Sequence, residues 1–149
     1  MSRILHEDEA ARPDLFVWNG PIERDELVRW LTSRGLDLPD DLVELWRETG
    51  GGDLFESETI LGPHGNPDLA DDVDSVNKSH RESGLSEAYL IVHVGLCLTA
   101  IRLVDKKWVV LDRRDHSESG EYESFESWYV AVLRSEYADR YGLPSLRTS

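Results

Sequence analysis

One cysteine, Cys97, and sixteen basic residues against thirty acidic ones are the scarcities that bound this 149-residue chain. A single thiol closes no intramolecular disulfide, so a disulfide-stapled secreted scaffold is excluded and a reducing, cytoplasmic compartment is expected. A formal net charge of −14 makes a protein built to hold nucleic-acid phosphates an unlikely candidate, so no nucleic-acid partner is expected. Long apolar runs are missing as well. The most apolar stretch, 89–104, is broken by His93, Gly95, Thr99 and Arg102 and is short for a membrane span, so no membrane partner is expected. The first residues carry Glu7, Asp8, Glu9 and Asp14 with no apolar signal core, and read as a flexible acidic arm over 1–19.

There is no internal repeat, low-complexity tract or Gly/Ser linker, so residues 20–143 are expected to share one core, with a short tail over 144–149. Pro21 suits a first helical position, Leu27, Val28 and Leu31 supply a stripe, and Gly35 a stop. A second helix is expected from Pro39. Its Leu42, Leu45, Trp46 and Thr49 fall at i, i+3, i+4 and i+7, with Gly50 as the left-handed stop. Leu54 to Leu61 reads as one half-solvated strand, 62–67 as a loop, and 68–83 as a short amphipathic helix through Leu69, Val73, Val76 and His80. Tyr89–Val94, Leu96–Val104 and Lys107–Leu111 are rich in β-branched and aromatic residues and predict an antiparallel meander. Ser124 then caps a closing helix that ends near Gly142. Helices separate from an antiparallel sheet define an α+β class, a single domain with helices packed on one side of the sheet. The core is expected to include Leu42, Leu45, Trp46, Trp128, Val132 and Leu133.

Catalytic spacing is hard to find. No G-x-S-x-G occurs, Cys97 reads as a buried inert thiol, and the five histidines show no H-x-x-x-H or C-x-x-C spacing, so neither enzyme activity, cofactor nor metal is expected. His93, between Val92 and Val94, reads as a strand residue on the exposed face. Asp112-Arg113-Arg114-Asp115-His116 reads as a polar loop leaving the sheet. Gly50-Gly51-Gly52 follows a helix and lacks the Lys-Ser/Thr of a phosphate loop, so it reads as a helix stop.

The stretch from Leu38-Pro39 through Leu45-Trp46 to Thr49-Gly50-Gly51-Gly52 resembles the signature of the SUKH superfamily, the Smi/Knr-type proteins. Tyr89 to Gly95, Trp108 to Asp112 and the Ser-Phe-x-x-Trp helix at Ser124 to Trp128 resemble the same family, over roughly residues 20 to 135. The loop from Gly62 to Pro67 and the acidic helix after it do not match the pattern. The resemblance implies a compact α+β domain without catalytic residues, used in bacteria as an immunity protein that binds and neutralises a cognate polymorphic toxin, often a nuclease. In fungi, similar domains sit in cell-wall assembly regulators. An intracellular scaffold that docks a self protein is therefore the alternative, and a small-ligand binder or enzyme the third reading. No functional residue carries over by motif.

Charge adds a candidate partner face. Residues 36–87 hold fourteen acids against three bases, and between Asp37 and Glu58 the only base is Arg47. If Leu42, Leu45 and Trp46 are buried, Asp40, Asp41, Glu44 and Glu48 turn outward, and Glu56 and Glu58, two apart on a strand, are expected to share one face. This patch, extended by Asp71, Asp72 and Asp74, is the expected contact with a basic toxin domain.

Overall fold

A computed structural model describes residues 2–65 and 71–146. Helix α1 (Arg3–Ala11) leads through a 3-10 turn to strand β1 (Phe16–Trp18), followed by α2 (Arg24–Ser33), α3 (Asp40–Thr49), β2 (Gly52–Leu54), β3 (Glu58–Ile60) and α4 (Val73–Glu82). Strands β4 (Tyr89–Val94), β5 (Leu98–Arg102), β6 (Lys107–Leu111) and β7 (Glu118–Tyr122) come next. The chain then enters one long helical run: α5 (Phe125–Trp128), a π-helical segment (Tyr129–Arg134) and α6 (Ser135–Tyr141). The seven strands lie in chain order in one sheet, every neighbouring pair antiparallel. The fold is thus α+β, as the pattern predicts.

The residues expected to be a loose arm are built into the domain. Leu5 and Asp8 of α1 are fully buried, and Ser2 caps the helix through the Leu5 amide and also donates to Glu126 at 2.7 Å. β1 pairs with β2 across an excursion that contains both α2 and α3. The sequence hides this: a short helix that fully buries only Leu5 and Asp8 shows no clear apolar stripe, and three-residue strands give no usable period. The tail is reached at Pro144, whose carbonyl accepts from Arg134; residues 147–149 lie outside the described residues, as do Asn66, Pro67 and the expected stripe residue Leu69.

α2 begins three residues after its expected proline, because the Glu23 carboxylate accepts from the amides of Asp25 and Glu26 and so caps the helix itself. Its buried stripe is Leu27 and Trp30, and Val28 is exposed. α3 follows its expected bounds, with Leu42, Leu45, Trp46 and Thr49 buried and Gly50 left-handed at φ 74°. The triple glycine does more than stop the helix. A Cβ on Gly50 would lie 2.1 Å from the Gly20 carbonyl oxygen, one on Gly52 2.3 Å from that of Val17, and one on Gly62 1.8 Å from that of Gly50. Backbone of the β1, β2 and β3 region therefore crosses in direct contact, which only glycine permits.

The expected strand over Leu54 to Leu61 is a hairpin instead. Phe55 and Glu56 take left-handed φ values of 51° and 69°, which reverses the chain between β2 and β3. Phe55 tolerates this because its buried ring is held among Phe16, Tyr129, Tyr137 and Tyr141. A seventh strand, β7, occupies part of what reads as loop; its sequence, Glu-Ser-Gly-Glu-Tyr, has low strand propensity and is held by cross-strand ion pairs of Arg102 with Glu118 and Glu121 and of Lys107 with Glu121. In the closing helix the wider π turn shifts the phase: Tyr129, Leu133, Arg134 and Tyr137 are buried, whereas Val132 is only partly buried.

Candidate partner-binding face and buried polar network

α3 separates its chemistry by face. The inner stripe is pinned by the Trp46 indole, which donates to the Leu61 carbonyl at 2.8 Å. The outer side carries Asp40, Glu44, Arg47 and Glu48 in solvent, with Asp41 half-buried. Two grooves border this ridge. One, of about 480 Å³, is lined by Arg3, Asp41, Glu44, Leu45, Phe125 and Glu126; the other, of about 440 Å³, runs between α2 and α3 past Arg24, Val28, Val43 and Arg47. Asp41 also joins two elements: its Oδ2 accepts from the Phe125 amide at 2.6 Å, an unsatisfied donor at a helix start, while its Oδ1 is buried without a hydrogen bond.

The other acids expected on this face do different jobs. Glu56 is exposed at the tip of the β2–β3 hairpin. Asp72 caps α4 by accepting from the Ser75 amide at 3.0 Å; burial raises its carboxyl pKa, but the Ser75 side-chain and backbone bonds outweigh that and hold it below the ordinary value. Asp74 is bound by Arg34 at 2.6 Å and lines a separate groove with Leu36 and Lys78, and Asp71 is half-buried just before α4. Glu58 is a correction. It is 1% exposed, because the turn at Phe55 and Glu56 ends the strand the two glutamates were expected to share, and Glu58 opens the returning strand facing inward.

There it meets His93, also expected on an exposed face and in fact fully buried. His93 Nε2 lies 2.9 Å from Glu58 Oε1, and His93 Nδ1 lies 2.9 Å from Thr99 Oγ1. The Trp128 indole, which can only donate, contacts the same Thr99 oxygen at 3.0 Å. Tyr137 donates to Glu58 Oε2 at 2.7 Å, and the Leu96 amide approaches both carboxylate oxygens at 3.0 and 3.1 Å. One proton arrangement satisfies every atom: Trp128 to Thr99, Thr99 hydroxyl to His93 Nδ1, and neutral His93 through its Nε2–H to ionised Glu58. This tautomer is assigned from the donors, not seen. Burial pushes the His93 pKa down, against the pull of Glu58; burial also raises that of Glu58, but bonds from His93, Tyr137 and Leu96 outweigh it and lower the carboxyl. Gly95 leaves the room required, since a Cβ there would stand 2.1 Å from Glu58 Oε1.

A second buried cluster ties the two ends of the chain. Asp8 accepts from Tyr129 at 2.7 Å and from Arg134 Nε at 2.9 Å, and Arg134 Nη2 reaches its other oxygen at 3.1 Å. Burial, then the bond to Asp8, pushes the Tyr129 pKa up. No local signal announces a contact between residues 126 apart. For the Glu58 network the only hint in sequence is that Trp128 and Tyr137 recur on the closing helix.

Cys97 lies in the β4–β5 turn with its thiol half-buried, and burial pushes its pKa up, so it is held protonated at neutral pH. Among the described residues no group of three or more His, Cys, Asp or Glu side chains is arranged to hold a metal ion, and no helix is long and apolar enough to cross a membrane. No family model matches the chain, and no curated protein matches it. Chemically, the arrangement offers an open carboxylate surface and closed, internally bonded acid–base pairs.

Proposed function

We propose that this chain is a non-enzymatic protein-binding domain, an immunity protein of the SUKH kind that neutralises a basic toxin domain through the outer face of α3. The observation that carries the reading is the concentration of Asp40, Glu44 and Glu48 along one ridge between two grooves, with Asp41 half-buried at its edge. Neighbouring carboxylates repel one another and so disfavour the free protein slightly, and a cationic partner relieves that repulsion. A nuclease presents cations to a phosphate backbone, so carboxylates set against those cations compete with its substrate and steer fast association. The residue pair that would suit acid–base catalysis, Glu58 with His93, is buried and bonded to protein groups, as is the Asp8–Arg134 ion pair, which supports a structural part for both.

The reading is tested by finding whether a gene adjacent to this one encodes a large protein with a toxin-like C-terminal domain, and by co-expressing the chain with that domain. Survival of cells that die when the toxin domain is expressed alone is the expected result. Death at equal expression of folded protein contradicts the immunity reading.

A further inference from the structure

Three of the five histidines face a carboxylate: His6 with Glu48 at 4.0 Å, His64 with Glu26 at 3.0 Å and His93 with Glu58 at 2.9 Å. The other two face each other. His80 Nδ1, in the last turn of α4, lies 3.0 Å from His116 Nε2, in the loop between β6 and β7. We propose that this imidazole pair is a proton-operated latch that holds the 112–117 loop on α4 while the pair carries at most one proton, and opens when both rings are protonated.

The contact has the geometry of a hydrogen bond. The ring centroids are 5.2 Å apart, little more than the N···N contact plus the two half-widths of the rings, so the rings meet end-on. Two lone pairs converging on a shared Zn²⁺ at about 2.0–2.1 Å would hold the two nitrogens farther apart, at about 3.3 Å across a tetrahedral angle. A neutral pair supplies one N–H and one lone pair, and a singly protonated pair still has both. A doubly protonated pair has two donors and no acceptor, with like charges at contact distance.

The charges around the pair do not soften that repulsion. Arg113, in the same loop, together with His116 and after burial itself, depresses protonation of His80. The loop carboxylates are turned to the loop's own groups: Asp112 Oδ1 accepts from the Arg114 amide at 2.7 Å and Asp115 Oδ1 from the Ser117 hydroxyl at 2.7 Å. Glu118 on β7 is held by Tyr89 and Arg102. On α4, Arg81 is held by the carbonyls of Ser86 and Tyr89, and Lys78 adds a further cation beside Glu82.

The loop is built to move as a unit once released. Besides the Asp bonds, the Asp112 amide donates to the Ser117 carbonyl and the His116 amide to that of Asp112, so the turn is closed on itself. His116 sits at φ 59°, a left-handed conformation that a histidine adopts rarely and that the contact with His80 helps to retain.

The test uses the whole chain. Imidazole resonances and amide-exchange protection of residues 112–117 are followed from pH 7.5 to 5, with exchange protection of the β4 to β6 amides reporting that the core stays folded. The expected result is two coupled titration steps for His80 and His116, and a loss of loop protection of about tenfold or more as the second is crossed. His116→Gln, and separately His80→Gln, should abolish the pH dependence of loop protection. Independent single-step titration of the two rings, or the same pH-dependent loss in both variants, overturns the latch. A loop whose protection depends on added Zn²⁺ instead of pH overturns it in favour of a metal-ligand pair.

Discussion

Glu44 and Glu58 are the same residue type, fourteen positions apart, and the protein uses them in opposite ways. Glu44 stands in water on a helix whose other face is apolar, between two grooves. Glu58 is enclosed, with His93, Tyr137 and the Leu96 amide aimed at its two oxygens. What separates them is the donor set around each carboxylate. Glu58 is enclosed and bound by several fixed donors, whereas Glu44 is exposed on the surface, where a partner can reach it.

The largest effect should come from removing the enclosed acid. Glu58→Ala leaves the His93 N–H buried without an acceptor and takes the carboxylate from the Tyr137 hydroxyl and the Leu96 amide, and should cost about 3–5 kcal/mol in urea unfolding. An unchanged midpoint would show that the network contributes nothing to the fold. Slightly smaller is the packing test of the π turn: Leu133→Ala should cost about 2–5 kcal/mol, and Val132→Ala clearly less because that residue is only partly buried. Equal losses would contradict the phase shift.

Acid should act on the core network in two stages. Burial holds His93 neutral with its pKa below the ordinary histidine value of about 6.5, so below about pH 6.5 the unfolded chain takes up a proton that the folded chain refuses, and stability falls with pH. The slope approaches about 1.4 kcal/mol per pH unit for each such group. His80, also lowered, adds in the same direction. The Glu58 carboxyl is lowered from 4.5, so its contribution is full above that value and is lost as pH falls through its folded-state pKa. His93→Gln should flatten the upper stage in thermal melts collected from pH 7.5 to 5. A profile that stays as steep as that of the wild-type protein would assign the loss to other groups. On the outer face the change should be slight: Glu44→Lys and Glu48→Lys should each alter stability by no more than about 0.5 kcal/mol. A larger loss would mean that these acids hold the fold together too.

The sequence was legible where one element carries its own instructions. α3 announces its stripe, its acidic start and its glycine stop within eleven residues, and β4 to β6 are long, β-branched and closely linked. It was illegible where the reason lies far away in the chain. α1 is fixed by Tyr129 and Arg134, β7 by Arg102 and Lys107, and the inward turn of Glu58 by two left-handed residues that are not glycine. The candidate face divided in the same way: Asp40, Glu44 and Glu48 lie where periodicity puts them, whereas Asp41 is half-buried and tied to the Phe125 amide, Glu58 is in the core, and Asp72 and Asp74 are engaged at α4.

The most direct measurement is the association rate of the purified chain with the basic toxin domain proposed as its partner, followed against salt concentration for wild-type protein and for the Glu44→Lys, Glu48→Lys double variant. The account predicts fast wild-type association that slows steeply as salt rises, and a variant that keeps its unfolding midpoint but associates at least about tenfold more slowly at low salt with a flatter dependence. Equal rates and equal salt slopes for the two proteins would contradict it and move the contact away from the outer face of α3.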